Sequence, residues 1–155
     1  MKLELDIQIE SENSHILSYD DFFHIIKTAL LYNHLDVAGL CVRIVTNDEI
    51  QELNHRYRYK NKPTNVLSFG FDVEKEFNPE NYLGDLVIAA DVVQDEAVAQ
   101  QKKISDHWAH LLVHGVLHLL GYDHENDADA EIMEGKEIEI LALLNIANPY
   151  KRIKK

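Results

Sequence analysis

Three histidines in the segment HGVLHLLGYDH, His114, His118 and His124, have a spacing that can hold a metal ion. On a helix, His114 and His118 fall on one face about 6 Å apart. Gly121 can then turn the chain in a left-handed cap, and Tyr122 and Asp123 lead it back to His124. Three neutral imidazoles are good zinc ligands, and an ion held by three protein groups keeps a fourth position open for water, which suits catalysis. A lone His pair four residues apart is more often packing than metal. The third histidine behind a turn-forming glycine tips the balance to a metal, although imidazole also suits copper, nickel and iron.

The same ligand spacing occurs in the metzincin proteases, H-E-x-x-H-x-x-G-x-x-H, but Gly115 stands where those enzymes carry their glutamate base. A glycine inside a helix costs about 1 kcal/mol relative to alanine. Either another element or a substrate approaches closely there, or the helix packs tightly on a sheet. Asp123, the nearest acid in sequence, could orient a ligand, take a proton or cap its turn. His107 and His110 share the helix face of His114 and read as packing residues or as second-sphere partners of the ligands.

A second candidate region is HRYRYKNKPTNVLSF, His55 to Phe69. It sets Arg56, Arg58, Lys60 and Lys62 among Tyr57 and Tyr59. Arginine offers phosphate a planar fork of donors, and tyrosine stacks on unpaired bases. The plain alternative is a solvated helix end. Thr64, Asn65 and Ser68 either hydrogen-bond a substrate or finish a turn. The net charge of −12 argues against a general nucleic-acid binder. Its distribution softens that: eight of the fifteen basic residues fall in two patches, the one just named and Lys151, Arg152, Lys154 and Lys155. Acids crowd 72–96 and 123–139, so the surface is expected to be polarised.

The elements that must position these groups follow from periodicity. Residues 3–9 alternate as a strand. SYDDFFHIIKTALLYNHL reads as a helix capped by Ser18, with Phe22, Ile25, Ile26, Ala29 and Leu30 as its apolar stripe. AGLCVRIVT is a strand and NDEIQELNHRYR a short helix capped by Asn47. NVLSFGF and GDLVIAA are strands joined by an exposed loop over 72–83. DVVQDEAVAQQKK is helical, a new helix starts at Ser105 and carries the first motif histidines, and NDADAEIMEGKEIEILALLNI is the last helix. The expectation is one α+β domain over 1–155, with about four strands in a mixed sheet, about five helices and the metal site at the end of a core helix. No stretch is long and apolar enough to span a membrane, and the N-terminus lacks the pattern of a signal peptide. The single cysteine, Cys41, sits in an apolar run and reads as buried. Cytoplasm is the expected compartment.

HGVLHLLGYDH, the YR before KPTNVLSF, and LGDLVIAADVV together resemble the YbeY family of bacterial rRNA maturation factors. The resemblance runs over nearly the whole chain. It implies a zinc-dependent endoribonuclease of single-stranded RNA, acting in 16S rRNA 3′-end maturation and ribosome quality control in the cytoplasm. It also implies a metal on His114, His118 and His124 and a functional Arg58. Chemistry agrees with it: a metal-bound water is acidified to a pKa near 7, and RNA carries its own 2′-hydroxyl nucleophile, so the missing glutamate matters less than it would to a protease. Two other readings stay open on the residues. One is a metzincin-like metalloprotease. The other is a non-catalytic ribosome assembly factor with a structural zinc, whose acidic body would steer basic small-subunit ribosomal proteins.

Overall fold

The computed structural model describes residues 1–150; the second basic patch, Lys151 to Lys155, lies outside the described residues. Strand β1 (Lys2–Ile9), helix α1 (Tyr19–Tyr32) and strand β2 (Val37–Val45) form a β-α-β unit with β1 and β2 parallel. Helix α2 (Asn47–Arg58) leads to strand β3 (Val66–Gly70), and the next strand, β4 (Tyr82–Ala89), pairs antiparallel with β3 and parallel with β2. The sheet is therefore mixed, in the order β1-β2-β4-β3. Helices α3 (Ala90–Ala99), α4 (Ile104–Leu119) and α5 (Asp127–Leu143) complete the α+β fold. The loop before β4 holds one 3₁₀ turn, Lys75–Phe77.

The main core lies between one sheet face and α1, α4 and α5. Phe22, Ile26 and Leu30 of α1 meet Leu40, Val42 and Ile44 of β2, Leu86 and Ile88 of β4, and Trp108, Leu112 and Val116 of α4. Phe22 and Trp108 pack edge to face with centroids 5.6 Å apart, a geometry the ring quadrupoles favour. The expected stripe of α1 is buried throughout, and Ser18 caps it by accepting from the Asp21 amide. A smaller cluster of Val45, Ile50, Leu67, Val87 and Ala89 fills the other face beneath α2. Cys41 is buried, and desolvation, reinforced by Asp85 and Asp6, pushes its thiol up to about 11. No helix among the described residues is long and apolar enough to cross a membrane.

The cap of α2 differs from expectation. Thr46, read as the end of β2, is the extended residue whose hydroxyl accepts from the Glu49 amide, while Asn47 is already helical. The side-chain oxygen of Asn47 is buried without a hydrogen bond. Either residue type makes a good cap; the register of β2 places Thr46, not Asn47, at the turn.

Candidate metal centre

Helix α4 is buried along most of its length, and its polar stripe is made of histidines at 107, 110, 114 and 118. The helix ends in a Schellman pattern: the Gly121 amide donates to His118 O (3.0 Å) and the Tyr122 amide to Leu117 O (3.0 Å). Gly121 has φ +98°, a conformation that L side chains rarely adopt. The chain is thereby turned back so that His124 reaches the other two histidines. One ring nitrogen from each of His114, His118 and His124 lies within 4.8 Å of the others, and the Nε2 atoms of His114 and His118 are 3.1 Å apart. A tetrahedral zinc ion with bonds of about 2.0–2.1 Å sets its ligands roughly 3.3 Å apart, so the donor set fits such an ion. Burial, then the neighbouring His114 and His124, lower the pKa of His118, which favours the neutral form a metal requires.

Behind the cluster sits a carboxylate. Glu137 of α5 is fully buried. Its Oε1 is 2.8 Å from His114 Nδ1 and 3.4 Å from His110 Nε2, and its Oε2 accepts from the Tyr150 hydroxyl at 2.7 Å. Burial alone would raise its pKa, but the bonds from His110, His114 and Tyr150 prevail and hold it down at about 2. His110 thus stands beside the ligands, within 3.2 Å of Tyr150. Asp123 uses its carboxylate to accept from the His124 amide at 2.6 Å, as a turn-closing residue does.

Gly115 faces β4. A Cβ there would come within 2.8 Å of Leu86 Cδ2, so the missing side chain matches close helix-on-sheet packing. The Gly115 carbonyl is 3.5 Å from the Ser68 hydroxyl of β3. Ser68 O in turn accepts from Arg58 Nη2 at 3.0 Å, and the guanidinium lies over the Phe69 ring, 5.3 Å from its centroid. Tyr57 packs edge-on to the same ring at 5.4 Å. Arg58, Tyr57 and Ser68 are therefore joined through β3 to the helix that carries the histidines. Tyr59, the left-handed residue that ends α2, is 89% exposed. Arg56 pairs with Glu52 on the surface, and Thr64 is half-buried beside Pro63. The Asn65 amide donates to Glu96 of α3 at 3.0 Å and its carbonyl accepts from the Val66 amide, so its side chain anchors the start of β3.

Comparison with known proteins adds the family. The model of the family described as Endoribonuclease YbeY matches residues 6–145. The chain belongs to the YbeY family. Proteins named Endoribonuclease YbeY from Francisella tularensis subsp. novicida (strain U112) and subsp. holarctica (strain LVS) are 43% and 44% identical to it over 150 residues. These matches cover 94% of this chain and 93% and 89% of theirs. The solution structure of TM1509 from Thermotoga maritima superposes with a TM-score of 0.57 at 22% identity, covering 96% of this chain and 99% of that one, and shares the fold.

Within this YbeY fold, the groups that sequence reading missed are Glu137, Tyr150 and Phe69. Glu137 carried one usable signal: with Met133, Ile140 and Leu141 it shares the buried stripe of α5, a position where an acid is rare unless paired. Phe69 and Tyr150 gave none, because their contacts join separate elements.

Proposed function

We propose that this chain is a zinc-dependent endoribonuclease that cuts single-stranded rRNA. The observation that carries the reading is the three-imidazole cluster, in a chain whose family is one of endoribonucleases. A bound zinc ion supplies Lewis acidity and acidified water. The chain's own groups do the rest. His114, His118 and His124 hold the ion, and no carboxylate occupies position 115 to act as a protease's base. Arg58, steadied by the Phe69 ring and the Ser68 carbonyl, donates to non-bridging phosphate oxygens and stabilises the charge that grows there in the transition state. Tyr57 and Tyr59 offer faces to unstacked bases, while Arg56 and the small polar residues Thr64 and Ser68 line the approach.

The physiological substrate in this reading is the 3′ end of 16S rRNA, cut during ribosome maturation and quality control in the cytoplasm. Contact with small-subunit ribosomal proteins would use the acidic body. The test is cleavage of a labelled hairpin with a single-stranded 3′ tail by zinc-loaded protein, beside identically purified His114→Ala and Arg58→Ala. Cutting by the wild type and by neither variant is the expected result. Equal cutting by all three marks a contaminant. Absence of cutting in a folded, zinc-loaded protein favours the assembly-factor reading, which the net charge of −12 supports as a surface for basic proteins.

A further inference from the structure

Glu137 has no place in the mechanism above, yet it is the most completely buried carboxylate beside the histidine cluster. A carboxylate with no solvent contact persists only where donors surround it. Here three do: His114 Nδ1 at 2.8 Å, the Tyr150 hydroxyl at 2.7 Å and His110 Nε2 at 3.4 Å. The arrangement has a direction. Tyr150 reaches Oε2, whereas both histidines are on Oε1, so the hydroxyl of the C-terminal segment fixes the plane in which Oε1 meets His114. A carboxylate accepts and does not donate. A neutral His114 ring therefore carries its proton on Nδ1 and leaves Nε2, the atom facing His118, as a lone pair.

We propose that Glu137, held by Tyr150, is the positioning residue of the metal centre: it selects the tautomer and orientation in which His114 offers Nε2 to the ion, and it adds buried negative charge behind that ligand. Outer partners of this kind typically change metal affinity 10–100-fold. The inference rests on the metal reading of the cluster. Its consequence is that the last turn before the basic C-terminal residues is tied through one hydroxyl and one carboxylate to a metal ligand. Removing that segment is therefore expected to loosen zinc as well as the fold.

Two measurements test this, and neither needs RNA cleavage. In metal-free wild-type protein, long-range proton–nitrogen correlation spectra report which nitrogen of His114 is protonated. At a pH where the ring is neutral, Nδ1 protonated and Nε2 bare is expected; a neutral ring protonated on Nε2 overturns the proposal and needs no variant that could misfold. Zinc affinity by competition with a chromophoric chelator is then compared among wild type, Glu137→Gln and Glu137→Met. Gln keeps an acceptor for Nδ1–H and Met does not. The expected result is a 10–100-fold loss in Glu137→Met, a smaller loss in Glu137→Gln and a still smaller one in Tyr150→Phe. A folded Glu137→Met within twofold of wild type overturns the proposal. Wild-type protein that holds no zinc overturns it together with the metal reading. Zinc held tightly by wild type and weakly by Glu137→Met, without RNA cleavage, supports the positioning role and removes only the nuclease reading.

Discussion

Two of the histidine–carboxylate pairs on helix α4 are almost equal in length, and they differ in which ring nitrogen meets the acid. Near its start, His107 turns Nε2 to Glu96 at 3.0 Å, and its Nδ1 is buried without a hydrogen bond. Two turns later, His114 turns Nδ1 to Glu137 at 2.8 Å and keeps Nε2 for the cluster. When a carboxylate takes Nε2, the ring's far end is occupied and the residue becomes a strut; here Glu96 also accepts from Asn65, so the strut ties α4 to α3 and to the start of β3. When the carboxylate takes Nδ1, the far end is turned outward as a ligand. Spacing places both histidines on one helix face. The neighbouring helix decides what each is for.

The strongest way to break this comparison is to delete each ring in turn. His114→Ala is expected to abolish stoichiometric zinc binding and to bring RNA cleavage to background, because an ion left with two protein ligands is no longer held as a site. Mass spectrometry of the intact protein and a chelator titration check it. Wild-type protein should also melt higher with zinc than after chelation, by the mass-action stabilisation of a native-state ligand, about 4 kcal/mol at a thousandfold excess over Kd. His107→Ala should do the reverse. It leaves zinc affinity within about twofold and costs about 2 kcal/mol of stability from the lost packing and the lost bond to Glu96. For a domain of this size that is a fall of roughly 4–8 °C in melting temperature. Zinc loss in His107→Ala comparable to that in His114→Ala would erase the distinction.

The histidines of α4 and the carboxylates that meet them were not equally legible in the sequence. The three-histidine cluster is local, closed by Gly121 within one helix end, so spacing and a turn rule were enough to find it. Strand β1 and helix α1 were legible for the same reason: their alternation and stripe are short-range patterns. Glu137 was not, because its bond to His114 joins residues 23 apart in sequence, and it lies in EGKEIEI among acids that face solvent. Asn65 had two readings from sequence, and only its distance to Glu96 favours the anchor. Thr46 and Asn47 are both competent caps, so one residue of strand register decided between them.

A smaller perturbation sharpens the comparison at the midpoint. Gly115→Ala adds a methyl 2.8 Å from Leu86 Cδ2. The flexible end of Leu86 can shift, so overpacking at the low end of its range, about 1–2 kcal/mol, is set against a helix-propensity gain of about 1 kcal/mol. The net expected loss is at most about 1 kcal/mol by chemical denaturation. Because Gly115 follows His114 directly in the chain and lies two turns from His107, zinc affinity should fall severalfold while the Glu96–His107 contact, read from the His107 ring shifts, stays as in wild type. A net gain in stability would mean that the flexible end of Leu86 gives way to a methyl at less cost than the 2.8 Å approach implies.

The smallest effect is a pH dependence assigned to the strut alone. The hydrogen bond from His107, then that from Asn65, lower the pKa of Glu96 below its ordinary 4.5, against the opposing effect of burial. A carboxylate depressed in the folded state stabilises the protein at pH values above its unfolded pKa. That stabilisation is lost as the pH falls through 4.5 towards the folded value, where both states become protonated. Its side chain is one-third exposed, so solvent screens the pair and the contribution is expected to be below about 1 kcal/mol. Glu96→Gln should therefore be slightly less stable than wild type at pH 7, and the two denaturation midpoints should converge as the pH drops below 4.5. At pH 7 zinc affinity should be the same in both proteins. Parallel curves down to acid would show that Glu96 holds His107 by shape rather than charge, and an affinity change at pH 7 would show that the two ends of α4 are coupled.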